Sequence, residues 1–162
     1  MTRVARQVVR DCELSVDELE PQEDARIWRL RWVATVTLLR AVGHVLEKVD
    51  TDVRPAYRKS IDAWWQNLKA MKPEPAIFWS FIDLERNSIL KEYGGHGVHI
   101  AETRIRIALA TGERMDLPRT FQTAIEGGPF DGRNQTEVVR EAISWWRRQL
   151  DEIDATVRET GH

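Results

Sequence analysis

Apolar residues recur at helical spacing along most of the chain and alternate with polar residues in one shorter stretch. Steps of three and four residues predict five helices, near 4–19, 24–49, 53–72, 75–93 and 135–158. Residues 103–125 alternate instead, which predicts a short antiparallel β-hairpin. We therefore expect a mainly α protein, a four-to-five-helix bundle that carries a small β-hairpin insertion before its last helix.

The helix predicted at 24–49 is expected to lie at the centre of the bundle, because its middle is apolar on nearly every side. The whole chain, residues 1–162, fits a single domain with a sizeable core and shows no internal repeat, linker or low-complexity segment. It contains no signal peptide and no apolar run long enough to span a bilayer. We expect a cytoplasmic protein without a membrane partner.

Charge is unevenly distributed, although the formal net charge is only −2. Residues 1–25 contain three basic and seven acidic side chains, a sum of −4, whereas residues 26–59 contain eight basic and three acidic, a sum of +5. The basic segment suits contact with phosphates, and it equally suits pairing with the acidic N-terminal segment. The overall pI of about 6.1 argues against a dedicated nucleic-acid binder with a broad basic surface.

Several common catalytic and metal-binding signatures are absent from the sequence. It contains no P-loop, no G-x-G-x-x-G after a strand, no H-E-x-x-H and no G-x-S-x-G motif. His96 and His99 form an H-x-x-H pair among glycines, with Glu102 three residues further on, but no other Cys or His supports a metal site. The single Cys12 excludes an internal disulfide and is interpreted as a buried apolar filler. We therefore expect neither a metal nor a cofactor.

The chain is rich in tryptophan, with seven residues of this type. The adjacent pairs Trp64–Trp65 and Trp145–Trp146 are suited to stacking on bases, but one member of each pair belongs to an apolar helix face, which favours core packing. Apolar residues of the last helix repeat at alternating steps of four and three, a spacing typical of a bundle or a dimer seam. Together with the aromatic surplus, this spacing predicts a homodimer.

Two basic side chains, Arg40 and His44, interrupt the apolar central helix one turn apart and on the same face. We interpret His44 as a core histidine whose ring is satisfied by a hydrogen bond. We expect Arg40 to form an ion pair with Glu47 or Glu85, because a buried charge without a partner is costly.

The helix predicted at 75–93 carries a polar cluster, Glu85, Arg86 and Asn87, beside residues that favour a dry environment. Arg86 is four residues after Ile82 and four before Leu90, so its row along the helix is otherwise apolar. An arginine in such a row needs a partner, since an unpaired buried charge is unfavourable. We therefore expect another polar group to contact Arg86.

The run F-x-x-x-x-R-N, from Phe81 to Asn87, resembles the signature of HEPN domains. The match covers Phe81–Lys91, and the number of helices and the chain length give looser support. The resemblance implies an all-helical bundle, commonly dimeric, in which two copies of the motif face each other across the interface. Many members are metal-independent ribonucleases of toxin–antitoxin and defence systems. In these, the arginine holds the phosphate and a histidine a few residues later acts in the attack of the ribose 2′-hydroxyl.

This chain departs from the HEPN motif at its histidine. The positions at which the family places that residue hold Lys91, Glu92 and Tyr93. A lysine has a pKa near 10.4 and is a poor general base at neutral pH unless burial lowers that pKa by about three units, although it suits phosphate binding as a point charge. His96 lies ten residues after Arg86, beyond two glycines. The candidate site residues are therefore Arg86, Asn87, Lys91 and His96.

Two functions of different class stay open, and whether the chain is an enzyme stays open with them. In the first, a HEPN-like module acts on RNA or a nucleotide, as a ribonuclease or a binding protein, with the candidate residues or His44 around a phosphate. In the second, a non-catalytic bundle binds a protein partner or assembles with it, and Glu85, Arg86 and Asn87 form a buried network. The missing histidine favours the second. An Arg86 guanidinium open to a cleft beside Lys91 favours the first, whereas one locked between Glu85 and a backbone carbonyl favours the second.

Overall fold

The computed structural model describes residues 1–92, 98–103, 105–117 and 120–160. Its α-helices are α1 (Arg3–Leu19), α2 (Ala25–Lys48), α3 (Pro55–Ala70), α4 (Leu84–Glu92) and α5 (Gln135–Thr160). A 3₁₀ turn, Asp50–Val53, leads into α3, and a π-helical segment, Ile77–Asp83, leads directly into α4. These bounds confirm the predicted mainly α bundle. The helix predicted at 75–93 consists of the π-helical segment followed by α4.

Helix α2 lies at the centre of the bundle, as its apolar middle predicts. It contacts α1, α3, α4 and α5, and Val36, Leu39 and Leu46 on its core face are fully buried. The indole of the fully buried Trp146, on α5, donates a hydrogen bond to the carbonyl of Leu39 at 2.9 Å. Among the described residues, no helix has the length and apolar character needed to cross a membrane.

The tryptophan pairs pack in the core, as predicted, rather than presenting flat faces for bases. Trp65, Trp145 and Trp146 are buried, and Trp64 is half-buried with its indole donating to Gln149 at 2.8 Å. Their rings lie between 4.7 and 6.3 Å apart, in edge-on and tilted arrangements. Cys12 is also fully buried, and burial raises the pKa of its thiol to about 12, which fits the predicted filler and not a nucleophile.

The predicted antiparallel β-structure before α5 is confirmed, but the strands pair differently from the prediction. Strand β1 (Val98–Thr103) pairs with β4 (Thr120–Ile125), and β2 (Arg106–Ala108) pairs with β3 (Arg114–Asp116), both antiparallel. The segment 120–125 therefore pairs with 98–103 and not with 103–109. Alternation shows which side chains share a face of a strand but does not show which strand pairs with it. The turn at residues 109–113 connects the shorter pair, β2 and β3.

Side-chain caps stabilise the starts of two helices. Asp24 and Asn134 accept hydrogen bonds from first-turn amides of α2 and α5. Helix α3 begins after Arg54, which makes no side-chain cap, and the nearby Thr51 does not cap it either. The Thr51 hydroxyl donates instead to a carbonyl in the last turn of α2, at 2.8 Å, and so belongs to the preceding helix end.

Buried carboxylates hold the start of α1 against the bundle. Asp50 is fully buried and accepts from the amides of Val4 and Ala5 at 3.0 and 2.8 Å, which satisfies donors that have no partner within the helix. Asp154 on α5 accepts from the amide of Thr2 at 2.8 Å and pairs with the Arg6 guanidinium at 2.8 Å. The order of the N-terminal helix therefore depends on acids more than forty residues away.

The acidic N-terminal segment finds basic partners on two helices. Glu18 on α1 pairs with Arg31 on α2, whereas Asp17 and Glu20 both contact Arg140 on α5, at 3.0 and 2.7 Å. Three acids of the N-terminal segment are therefore paired within the bundle, but of these two basic partners only Arg31 belongs to the basic segment.

Candidate functional site

Glu85, Arg86 and Asn87 lie in the first turn of α4, directly after the π-helical segment. Phe78, Phe81 and Ile82 anchor the π-helical segment, since each is at most 1 % exposed. A π-helical turn holds more residues than an α turn, so it changes the face that the following side chains occupy. Asp83, the last residue of the segment, faces α2, and its carboxylate starts the site.

Arg40 on α2 is the first partner of Asp83. Its Nε donates to Oδ1 of Asp83 at 3.1 Å, and its guanidinium lies 5.7 Å from the Phe78 ring centre and 5.9 Å from that of Trp65. The predicted partners Glu47 and Glu85 are wrong, because the carboxylate that pairs with Arg40 belongs to Asp83.

Gly43, in the next turn of α2, leaves room for the Arg40 guanidinium. A Cβ atom at position 43 would lie 3.1 Å from the Trp65 ring, 3.2 Å from the Trp146 ring and 3.3 Å from Nη1 of Arg40. A larger residue would therefore press on the guanidinium and on both rings, so this glycine is a packing requirement of the cluster.

From Asp83 a chain of hydrogen bonds runs along α4 to Arg86. The side-chain amide of Asn87 donates to Oδ2 of Asp83 at 3.3 Å, and its carbonyl oxygen accepts from Nη1 of Arg86 at 2.9 Å. The order is Arg40, Asp83, Asn87, Arg86, with the two cations at the ends and the carboxylate and the neutral amide between them. Asn87 thus orients Arg86 and leaves its other guanidinium N–H groups for further acceptors.

The charge of Arg86 has no carboxylate partner among the described residues. Its side chain is half-buried, and the ion pairs formed by described residues do not include it. Glu85, which the non-catalytic alternative placed in a network with Arg86, forms no ion pair with it, since Arg86 donates to Asn87 and only burial acts on the Glu85 carboxyl. Glu85 is instead only 3 % exposed, its Oε2 has no hydrogen-bond partner, and burial raises the pKa of its carboxyl to about 7.

The residues one helical turn before and after Arg86 are both apolar, but only the first of them is buried. Ile82, one turn before it, is fully buried, whereas Leu90, one turn after it, is 66 % exposed. Arg86 therefore lies at the boundary between core and solvent.

Lys91 is exposed and stands four residues after Asn87, which places it on the same side of α4. His96 lies outside the described residues, so the structure brings together Arg86 and Asn87 from the predicted set.

His44 is exposed, so its interpretation as a core histidine is wrong. It lies one turn after Arg40, on the helix whose Arg40 contacts the site. Partial desolvation, and then the positive charges of Arg40 and Arg86, lower the pKa of its imidazole below the ordinary value. Desolvation outweighs the attraction of Glu47, so His44 is uncharged at neutral pH.

Asp83 is the functional residue that sequence reasoning missed. It stands four residues before Asn87 and three before Arg86, the two spacings that bring helical side chains together. That spacing was the available signal, but the apolar pattern directed attention to Glu85, the acid beside Arg86.

Two cavities lie elsewhere on the surface: one of about 670 Å³ beside Arg54, Arg58 and Lys59, and one of about 530 Å³ beside Asp154.

Comparison with known proteins gave no match, either to a protein-family model, to a curated protein or to a solved structure. Hydrogen bonds join Arg40, Asp83, Asn87 and Arg86, and these four residues together with the exposed His44 on α2 are called the α2–α4 cluster below. Within the described ranges, no group of three or more His, Cys, Asp and Glu side chains is arranged to hold a metal ion.

Proposed function

We propose that this chain is a HEPN-like binding module that holds a phosphate of RNA, or of a nucleotide, on Arg86 without cleaving it. The observation that carries the proposal is the state of the Arg86 guanidinium. It is oriented by Asn87 and half-buried, and within the described residues it has no acid to neutralise it. A fixed guanidinium with free donors is the usual protein ligand for a phosphate group.

The hydrogen-bond chain behind Arg86 supports binding by holding the guanidinium in place before a ligand arrives. Asp83 is held by Arg40, and Asn87 is held by Asp83, so Arg86 loses little freedom when it contacts an anion. Lys91 adds a second positive charge on the side of α4 that Asn87 occupies. The exposure of Lys91 supports the non-catalytic part of the proposal, because a lysine base requires burial.

Equilibrium binding of a labelled single-stranded RNA to wild-type protein and to Arg86→Gln tests the proposal. Losing charge-assisted hydrogen bonds to a phosphate should weaken binding about tenfold or more, while the melting temperature stays close to that of wild type. Arg148→Gln on the exposed face of α5 is the matched control, because it removes the same charge away from the cluster. Equal RNA affinity of Arg86→Gln and wild type would refute the assignment.

A gel of the RNA after incubation separates binding from catalysis. We expect intact RNA with every variant. Cleavage by wild type that disappears in Arg86→Gln, but persists in Arg148→Gln, would instead establish the metal-independent ribonuclease.

A second candidate function, assembly through self-association, is favoured by the inner hairpin. Ile107 and Met115 form a cross-strand pair, and Ile105 and Leu109 lie on the same face of the hairpin as Ile107. All four are between 37 and 51 % exposed. The occupant we propose is the same face of a second copy. These side chains fall short of the roughly 800 Å² per partner of a standard interface, so the homodimer should be weak and concentration-dependent.

Sedimentation velocity over a range of protein concentrations tests this candidate. Wild type should sediment faster as concentration rises, and Ile107→Lys should remain monomeric because it places a charge in the apolar face. Arg114→Lys, at a polar position of β3, is the control. A monomer at every concentration would remove the homodimer without affecting the role of Arg86.

A further inference from the structure

The α2–α4 cluster contains an exposed imidazole as well as a free guanidinium. His44 is one turn after Arg40 on α2, and Arg40 is joined through Asp83 and Asn87 to Arg86 on α4. Residues four apart lie on the same side of a helix, so the exposed His44 lies on the side of α2 that carries Arg40. An imidazole open to solvent therefore stands one turn from the arginine whose partner, Asp83, supports Asn87 and Arg86.

The charges that act on His44 come from both helices. On α2 these are Arg40 and Lys48, which disfavour the protonated ring, and Glu47, which favours it; on α4 it is Arg86, which disfavours it. Positive charge therefore exceeds negative charge around an imidazole that is already partly desolvated. An added anion changes this balance, because an opposite charge nearby favours the protonated imidazole.

Resting on the phosphate-binding function above, we propose that His44 is the second binding group of this site: it holds the phosphate together with Arg86 and takes up one proton as the anion binds. The proton comes from solvent and resides on the imidazole nitrogen that was unprotonated, and no covalent bond to the ligand forms. Phosphate monoesters and diesters share the required chemistry. A monoester, which carries more negative charge, should drive the larger proton uptake.

Proton titration of the free protein by NMR tests the geometry without a ligand. His44→Gln identifies the His44 signal among the four histidines of the chain. Removing a nearby positive charge should raise the pKa of His44, so Arg86→Gln should shift its titration to higher pH and Arg148→Gln should not. An unchanged His44 titration in Arg86→Gln would overturn the proposal, because the two residues would then be too far apart to share an anion.

Titration in the presence of inorganic sulfate tests the ligand. Sulfate stays fully ionised in the range where His44 titrates, whereas a phosphate monoester loses its second proton near pH 6, so only the proton on the protein is observed. Sulfate should raise the His44 pKa of wild type by about one unit, and its affinity should fall about tenfold as pH rises through that window. His44→Gln should bind sulfate with no such pH dependence. A wild-type affinity that is flat with pH would reject proton uptake.

The sources of phosphate are distinguished with RNA oligonucleotides that carry a 5′-phosphate or a 5′-hydroxyl. Stronger pH dependence with the 5′-phosphate would assign the site to a terminal monoester, and equal dependence would assign it to a backbone diester. RNA binding that requires Arg86 but is flat with pH would refute the role of His44 and leave the proposed function intact. Absence of RNA binding together with proton-linked sulfate binding would refute the RNA function and leave the His44–Arg86 anion site intact.

Discussion

The chain contains two clusters in which acids and arginines from distant segments meet, and they differ in whether the network is closed. Around Asp154, the carboxylate accepts five hydrogen bonds from Thr2, Arg6 and the Tyr57 hydroxyl. Arg6 is shared between Asp154 and the neighbouring Asp151. Each charge there has an oppositely charged partner within the cluster, so the network holds α1 against α5.

The α2–α4 cluster is open at one end. Asp83, its one carboxylate among the described residues, accepts hydrogen bonds from Arg40 and Asn87, and the chain of hydrogen bonds then ends at Arg86. The positive charge of Arg86 is not balanced by a carboxylate of the cluster. His44 beside it is exposed and uncharged at neutral pH. An arginine that is oriented but not neutralised is arranged for a ligand, whereas one that two acids neutralise is arranged for stability.

The largest effect is expected from opening the closed cluster. Asp154→Ala leaves Arg6, Tyr57 and Thr2 without their common acceptor in a site where Asp154 is only 7 % exposed. Loss of one member of a buried, hydrogen-bonded ion pair costs about 3–5 kcal/mol. Denaturant unfolding should show a midpoint that falls accordingly. Tyr57→Phe, which removes one donor, should cost only about 1 kcal/mol. Equal costs would mean that packing and not the carboxylate stabilises this region.

Glu85, on the buried side of α4, should make stability depend on pH. Burial raises the pKa of its folded-state carboxyl from 4.5 to about 7, so the folded protein retains a proton that the unfolded chain releases. The free energy of unfolding should therefore fall as pH rises between those values, by about 3 kcal/mol in all. Glu85→Gln should remove this dependence and be more stable than wild type above about pH 7. Glu152→Gln, at an exposed position, should keep it. A wild-type stability that does not fall over this range would contradict the buried carboxyl.

Asp83→Ala should have a smaller effect on stability and a clear effect on binding. It removes the partner of Arg40, whose side chain is 16 % exposed, and we expect a loss of about 2 kcal/mol. Asn87 also loses its acceptor, so Arg86 should become less ordered and RNA affinity should decrease. Asp83→Asn, which still offers an oxygen to Arg40, should fall between this variant and wild type in both measurements. Full RNA affinity in Asp83→Ala would show that Arg86 needs no support from the cluster.

The sequence predicted the helices well because their apolar spacing reports burial directly. It failed where a contact depends on a local departure from that spacing. Asp83, which contacts Arg40, ends a π-helical segment, and a pattern based on regular α turns does not predict such a segment. His44 was misplaced for a related reason: an apolar sequence on both sides predicts burial, but a residue at the edge of the stripe is exposed.

The sequence also did not predict which distant segments contact each other. The partners of Asp154 lie near residue 2 and at Tyr57, and the partner of β4 is β1 rather than the nearer strand. Period and composition restrict which residues face inward, but several distant partners satisfy the same restriction. Arg86 and Asn87 were identified from the sequence because they match a motif. Only the structure shows that Asn87 orients the Arg86 guanidinium and that no carboxylate of the described residues pairs with it.

The smallest change in stability is expected from Arg86 itself, and it gives the sharpest comparison with Arg6. Arg6→Gln removes a guanidinium that two acids hold and should cost about 2 kcal/mol. Arg86→Gln removes one that donates to a neutral amide on the adjacent residue, so its cost should stay below about 1 kcal/mol. Thermal melts of both variants, with and without the single-stranded RNA, check this difference. RNA should raise the melting temperature of wild type and of Arg6→Gln but not of Arg86→Gln, because only the last lacks the binding group. A loss of 3–5 kcal/mol in Arg86→Gln, with no RNA effect on wild type, would place Arg86 in a closed structural network like that of Asp154.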